Sequence, residues 1–416
     1  MTRSSAESVP QSPILFVSYN ESGENSRADD LFPHRDRRVL ILYVGGTIGM
    51  KRTPSGALKP RKGYLTQVVR AMGELQQRPE IAPFDVVEYD ELLDSSDMDG
   101  RDYLRIAHDV AHHYDDYDGF LVLHGTDTMH YTASALSFLL MNLAKPVVLT
   151  GSMVPLVEPY SDARRNLVIS LMLASNPAIR EVCVFFNDSL LRGNCCCKMH
   201  HTFGAFCSPN YPALGVVEPT GFELREHLLI SQPGGPLKVQ SNMSGRVMVF
   251  TLYADYDMKV LTQLLLESSQ DAIHAKDSLS AAGKSSKSES APDASAVPPP
   301  RGRPLMDAVV LEITGVSELK GDYSASLREL ARVAEERDIV ACVTVREPFG
   351  SLSAEEQRRL RLVSPYLIYL RMTTATVEVK LMYLFGKGLS PAAVRNIMPR
   401  NLRGEITPGT SFVANL

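Results

Sequence analysis

Val39-Leu40-Ile41-Leu42-Tyr43-Val44-Gly45-Gly46-Thr47-Ile48-Gly49 is the stretch from which the fold can be read. Six apolar, β-rich residues run without a polar interruption and stop at two glycines. Such a run is too short to cross a membrane and lacks the alternation of a strand with one wet face. It suits a strand buried on both faces, as in a parallel sheet. The glycines after it suit a loop in which the backbone must come close to something else.

The same unit repeats downstream. A helical pattern over roughly 64–76 is followed by strand-like 84–89 (FDVVEY) and the polar loop Asp94-Ser95-Ser96-Asp97. An amphipathic helix near 101–114 precedes 119–123 (GFLVL), the loop His124-Gly125-Thr126-Asp127, and a helix rich in Ala, Leu and Met. Then come 146–150 (PVVLT) with Gly151-Ser152, a helix from about Ser161, and 182–186 (VCVFF). Strand, polar loop and helix in repetition predict an α/β fold, a parallel sheet with helices on both faces. Ligands of such sheets lie at the carboxyl ends of the strands. Thr47, Ser95, Thr126 and Asp127 are therefore expected to converge although they are far apart in sequence.

Composition sets the domain plan. At 416 residues the chain has room for two domains, and 44% hydrophobic with 22% charged residues is ordinary for a globular protein. The expected organisation is a polar, disordered extension over 1–36, an N-terminal domain over 37–218, a Pro- and Gly-rich linker over 219–243, and a smaller C-terminal α/β domain over 244–416. That last domain holds strand-like 307–313 and 338–344. It also holds a Ser-, Ala-, Lys- and Pro-rich insertion, 268–304, expected to be disordered because it carries too little apolar surface to offset ordering entropy. A net charge of −5 argues against nucleic acid as a partner, and no apolar run is long enough for a membrane span. The opening residues lack the apolar core of a secretory signal and include Glu7, Glu21 and Glu24, unlike a transit peptide. Six cysteines, three of them consecutive at 195–197, do not make a disulfide framework. The expectation is a cytoplasmic chain with reduced thiols.

Three readings are open for Gly45-Gly46-Thr47-Ile48-Gly49: a phosphate cradle, a plain structural turn, or a nucleophile loop. The first lacks both GxGxxG and GK[ST]. In the third, glycine amides can stabilise an oxyanion and Thr47 can attack. A threonine hydroxyl is a weak nucleophile at neutral pH and needs a base or a charged relay. Thr126-Asp127 and Lys198 offer one, the lysine favouring deprotonation and the carboxylate orienting it. Cys195-Cys196-Cys197 with His200 and His201 invites a metal reading, but tetrahedral sites want spaced ligands. Asp94 and Asp97 have a structural reading too, as caps of the helix near 101.

The motifs VGGTIGM, LDSSDM, HGTDTM, KPVVLTGS followed by SDARRNL, FFNDSLLRGN with Lys198, and AFCSPN resemble the L-asparaginase family, in its type I, cytoplasmic bacterial and animal branch. The resemblance is strong over about 38–218 and weaker over 245–416. It implies a two-domain α/β amidohydrolase that cuts L-asparagine to aspartate and ammonia, with glutamine at most a poor second substrate. It implies Thr47 as nucleophile, with Thr126, Asp127 and Lys198 as a second catalytic group. Asp94, Ser95, Ser96 and Asp97 would form the substrate loop, with Thr126 and Asp127 also binding substrate. It implies a homodimer or homotetramer and neither metal nor cofactor. The chain departs from the family pattern at four places. Val44 stands for Thr, Met153 for Gln, Glu318 for the Asn of a GxGN turn, and Ser55-Gly56-Ala57-Leu58 lacks the loop tyrosine. Two other functions stand beside this one: a non-catalytic asparagine-binding protein, and a subunit of a tRNA-dependent amidotransferase.

Overall fold

The computed structural model describes residues 16–18, 37–78, 80–252, 257–267, 304–313, 321–346 and 354–406. The rest of the N-terminal extension, the insertion up to 303 and the turn containing Glu318 lie outside the described residues. The chain divides into two compact units, Met1–Asp99 with Arg105–Val239, and Gly100–Leu104 with Gln240–Leu416.

The first unit is built on a sheet whose strands are β1 (Phe16–Ser18), β2 (Val39–Gly45), β5 (Phe84–Leu93), β6 (Gly119–Leu123), β8 (Val147–Thr150), β9 (Val182–Phe186), β10 (Ser189–Arg192), β13 (Gly215–Glu218) and β14 (Gly221–Leu224). Short pairs complete it: β3 (Met50–Arg52) with β4 (Leu58–Pro60), β7 (Leu140–Met141) with β15 (Lys238–Val239), and β11 (Cys197–Lys198) with β12 (Phe206–Cys207). The order across the large sheet is β1-β14-β13-β10-β9-β8-β6-β2-β5.

From β9 to β5 every neighbouring pair is parallel, as the repeating strand–helix pattern predicts. Beyond β9 the pairs β9–β10, β10–β13 and β13–β14 are antiparallel, and β1 closes the edge parallel to β14. The reason is local. Asn187 and Asp188 between β9 and β10 both have positive φ, 44° and 69°. Two such residues in a two-residue loop return the chain as a tight hairpin rather than a crossover. The stretch 219–243, expected as a linker, begins inside this sheet: Gly221–Leu224 pairs along its length with β13.

All seven residues of β2 are buried, so both faces are covered. Val39, Ile41 and Tyr43 pack with residues of α1 (Tyr64–Ala71) and of the helix Ala163–Ala174, such as Leu65, Val69, Leu167 and Leu171. The helix expected over 64–76 is interrupted at Met72, and Gly73 opens a second short helix, α2 (Gly73–Gln77). Glycine is a poor helix former and marks the break. Strand β5 runs four residues beyond its expected end because the register shifts between Tyr43 and Gly45, letting Gly45 pair with Leu93.

The order of β6, β2 and β5 matters for function. The chain leaves β2 for β5 on one side, then returns to place β6 on the other. The loops after β2 and β6 therefore leave a topological switch point, where open α/β sheets hold ligands.

The second unit has a four-stranded parallel sheet, β16 (Val247–Leu252), β17 (Ala308–Ile313), β18 (Val340–Val345) and β19 (Ile368–Tyr369), in that order. Its core joins Val309, Leu311, Ala341 and Val343 to helix residues Leu261, Leu265, Leu327 and Leu330. Lys380, in the helix Thr374–Gly386, is fully buried and donates to the carbonyls of Met398 and Arg400, at 2.9 and 2.6 Å, and to Glu405 Oε1, at 2.5 Å. Glu405 in turn accepts from the backbone N–H groups of Leu402 and Arg403.

Candidate active site

Three loops meet at glycines on the carboxyl edge of the first sheet. A Cβ on Gly46 would stand 2.5 Å from Gly125 Cα, and Gly46 has φ of +95°. A Cβ on Gly125 would stand 2.5 Å from Ser95 Oγ, and one on Gly45 would stand 2.1 Å from the Leu93 carbonyl oxygen. Real side chains never sit so close, so only glycine permits this packing. The residues following these contacts are Thr47, Ser95–Asp97, and Thr126 with Asp127. The three loops are thus brought together by close contacts that only glycine allows.

Thr47 opens a short 3₁₀ turn, Thr47–Gly49, and is half-buried. Among the described residues its hydroxyl has no hydrogen-bond partner. Beneath the turn lies Tyr43, wholly buried, whose hydroxyl has no partner among the described residues and would touch a Cβ placed on Gly49. Burial holds that phenol well above its usual pKa. The hairpin of β3 and β4 follows the turn, and Tyr64 starts α1 with Lys51 Nζ 5.1 Å above its ring.

Lys198 is the centre of the polar cluster. It lies on β11, and its Nζ donates to Thr126 Oγ1 at 2.9 Å and to Asp127 Oδ1 at 2.6 Å. Only 8% of the Lys198 side chain is exposed, against 55% of Asp127. The ammonium is thus sealed on the protein side, and the carboxylate opens to solvent. The hydrogen bond from Lys198 holds the Asp127 carboxyl below the usual carboxylate range. Partial burial opposes this, while the Lys198 charge, a hydrogen bond from Ser96 and the charge of His201 reinforce it.

The substrate-loop residues separate by role. Ser95 is buried against Gly125, and Ser96 Oγ donates to Asp127 Oδ2 at 3.4 Å. Asp94 caps the turn Ser95–Asp97, accepting from the Ser96 N–H at 3.0 Å. Its capping role falls on this turn and not on the helix near 101. Asp97 is exposed, and among the described residues its carboxylate has no hydrogen-bond partner.

Several residues escaped the sequence reading. His124 is fully buried, with Nδ1 2.7 Å from the Gly125 carbonyl and Nε2 2.8 Å from Thr132 Oγ1, so it braces the loop that carries Thr126. Thr128 donates to the Ser95 carbonyl at 2.5 Å and ties the second loop to the third. His130 lies in the first turn of the helix Met129–Leu139, against Phe206, and its Nδ1 is sealed with no partner among the described residues. Burial first, then the Lys198 charge, lower its pKa to about 4 and keep it neutral near pH 7. Upstream of Lys198, the buried pair Arg192–Glu181, 2.6 Å apart, fixes the end of β10 to the start of β9. The place of Thr128 directly after the loop His124–Asp127 was a usable signal. Nothing in sequence spacing announces the partners of His130 or Arg192.

Among the described residues no three His, Cys, Asp or Glu side chains are grouped to hold a metal, the Cys195–Cys197 run included.

The fold and this cluster define an α/β protein with threonine hydroxyls and a lysine–carboxylate pair at the strand ends. Residues 38–229 match the asparaginase N-terminal family model. The chain is 35% identical over 380 residues to L-asparaginase 1 of Escherichia coli, covering 89% of this chain and 98% of that one. It is 31% identical over 402 residues to the mouse 60 kDa lysophospholipase, covering 91% of this chain and 64% of that one. The crystal structure of L-asparaginase I from Vibrio cholerae superimposes with a TM-score of 0.70 at 32% identity, covering 89% and 99% of the two chains. The chain belongs to the asparaginase family.

Proposed function

We propose that this chain is an L-asparaginase, hydrolysing the side-chain amide of L-asparagine to L-aspartate and ammonia. The observation that carries the reading is the bonding of Lys198 to both Thr126 and Asp127, on a loop whose Gly125 backbone touches the loop of Thr47. In the proposed reaction Thr47 Oγ attacks the amide carbon while its proton passes toward the Thr126–Lys198 pair. The C–N bond breaks, the leaving nitrogen takes a proton, and ammonia departs from an acyl-threonine ester. Water then attacks the ester carbon, the proton returns to Thr47, and aspartate leaves. Lys198 favours the deprotonated hydroxyl, and Asp127 orients the lysine. Ser95, Ser96 and Asp127 face the substrate's charged end in this scheme. Asp127 pairs with its ammonium, Asp94 shapes the turn, and Asp97 lies at the outer rim.

Ammonia release by the purified chain with L-asparagine tests the reading. Thr47→Val deletes only a hydroxyl and is expected to lower turnover by roughly two orders of magnitude or more, with an unchanged melting temperature. Near-native turnover in that variant would unseat Thr47 as nucleophile. Aspartate binding without turnover in the parent chain would point to a binding protein instead, and a requirement for tRNA to an amidotransferase subunit. A cytoplasmic location and assembly as a homodimer or homotetramer belong to the same proposal. All six cysteines are unbridged in the fold, which supports the first, and sedimentation velocity reads the second.

A further inference from the structure

The cysteines around Lys198 have no role in the reaction proposed above. Cys195 and Cys196 are buried, and Cys196 Sγ lies 3.3 Å from the Gly193 carbonyl oxygen. Cys197 differs. It sits on β11 directly opposite Cys207 on β12, and the two sulfurs are 3.7 Å apart. Both are half-exposed, so a small oxidant can reach them. Residues paired across antiparallel strands have Cα atoms roughly 4.5–5.5 Å apart. That span falls inside the roughly 4.4–6.8 Å window a disulfide accepts. The next pair along the same two strands is Lys198 with Phe206.

We propose that Cys197 and Cys207 are an oxidation site, a dithiol that a hydroperoxide converts to a disulfide, displacing Lys198 and slowing the enzyme. The effect on turnover rests on the catalytic role proposed for Lys198; the bond itself does not. One thiolate attacks a peroxide oxygen, giving a sulfenic acid and hydroxide. The second sulfur then attacks the sulfenic sulfur, the S–S bond forms and water leaves. Two thiols and one hydrogen peroxide become one disulfide and two waters, with two electrons passing to the peroxide. The contact favours the first step. Either thiol can donate to the other, and the one that accepts is held below the usual thiol range, so a reactive thiolate is more available in the pair.

Closing from 3.7 Å to the roughly 2.05 Å of a disulfide draws the sulfurs together by about 1.6–1.7 Å. Lys198 adjoins Cys197, and its 2.6 and 2.9 Å bonds leave little slack. Misplacing a catalytic group by about 1 Å can lower a rate by ~10²-fold.

The purified full-length chain is treated with hydrogen peroxide and digested without reduction, and the cross-linked peptides are sequenced by fragmentation. A Cys197–Cys207 link is expected, together with a roughly ten- to hundred-fold fall in ammonia release that dithiothreitol reverses. Cys207→Ala should match the reduced parent in turnover and resist peroxide. Acylation of the Lys198 amine, followed by mass, reports its displacement independently of activity. Absence of the link, a link with unchanged turnover and Lys198 reactivity, or equal sensitivity of Cys207→Ala overturns the proposal. If the reduced parent releases no ammonia, the asparaginase reading fails instead. The oxidation site then stands or falls on the link and on Lys198 reactivity.

Discussion

Lys198 and Asp127 are chemically complementary, and each reports on the other. Lys198→Met removes the hydrogen bond that holds the Asp127 carboxyl low, so turnover is expected to fall at least a hundred-fold and the Asp127 pKa to rise toward the ordinary ~3.9. A carbon-detected NMR titration of that carboxyl checks the shift; an unmoved midpoint would show that Lys198 does not set it. His130 gives a second test, in stability. Its folded pKa of about 4 lies below the ~6.5 of an unfolded histidine, so the unfolded chain takes up a proton first as pH falls. The contribution is present above pH ~6.5 and drains away as pH drops toward 4. His130→Leu should therefore narrow the melting-temperature difference between pH 7 and pH 5 by a few degrees, without loss at pH 7. An unchanged difference would place the acid sensitivity elsewhere. Thr47, Thr126 and Asp127 could be read from sequence because each stands within two residues of a glycine that closely follows an apolar run. That Lys198 belongs with them was available only as a candidate and through family likeness, since its partners lie 71 and 72 residues away. Cys207 could not be singled out at all, because strand register alone sets it opposite Cys197.

The elements that shape the site are loops whose glycines touch. Gly125→Ala introduces a Cβ 2.5 Å from Ser95 Oγ and 2.8 Å from Ser95 Cβ. One of the two loops must move, and overpacking of this kind costs about 1–3 kcal/mol. Urea denaturation should show that loss, and turnover should fall further than stability alone explains, because Thr126 is the next residue. A variant with full activity and parental stability would show that the loops are slack. The parallel strands β2, β6, β8 and β9 were legible as uninterrupted apolar runs, and their loops as polar breaks. The antiparallel extension was not. Its signal was the Asn187-Asp188 pair, two residues that tolerate positive φ, in a stretch otherwise read for its lysine. The length of β5 was hidden for a different reason, since it depends on the register shift at Gly45.

At the scale of the whole molecule each unit has a core of its own, and the second also holds a buried polar clasp, Lys380 with Glu405. Lys380→Met would leave Glu405 buried with its charge unpaired, and breaking such a pair by removing one partner costs roughly 3–5 kcal/mol. Hydrogen exchange should register faster opening around the helix Thr374–Gly386 and residues 398–406, while the site residues of the first unit keep their protection. Equal deprotection of both units would show that the clasp supports more than its own surroundings. The clasp also has a temporal meaning. A chain leaving the ribosome presents Lys380 before Glu405, which follows 25 residues later. At roughly 5–20 residues per second that interval is about one to five seconds. Through it, an ammonium destined for the interior has no counter-charge and is held in water. Residues 105–239 of the first unit are all translated before Lys380, so that unit's sheet can form before the clasp closes.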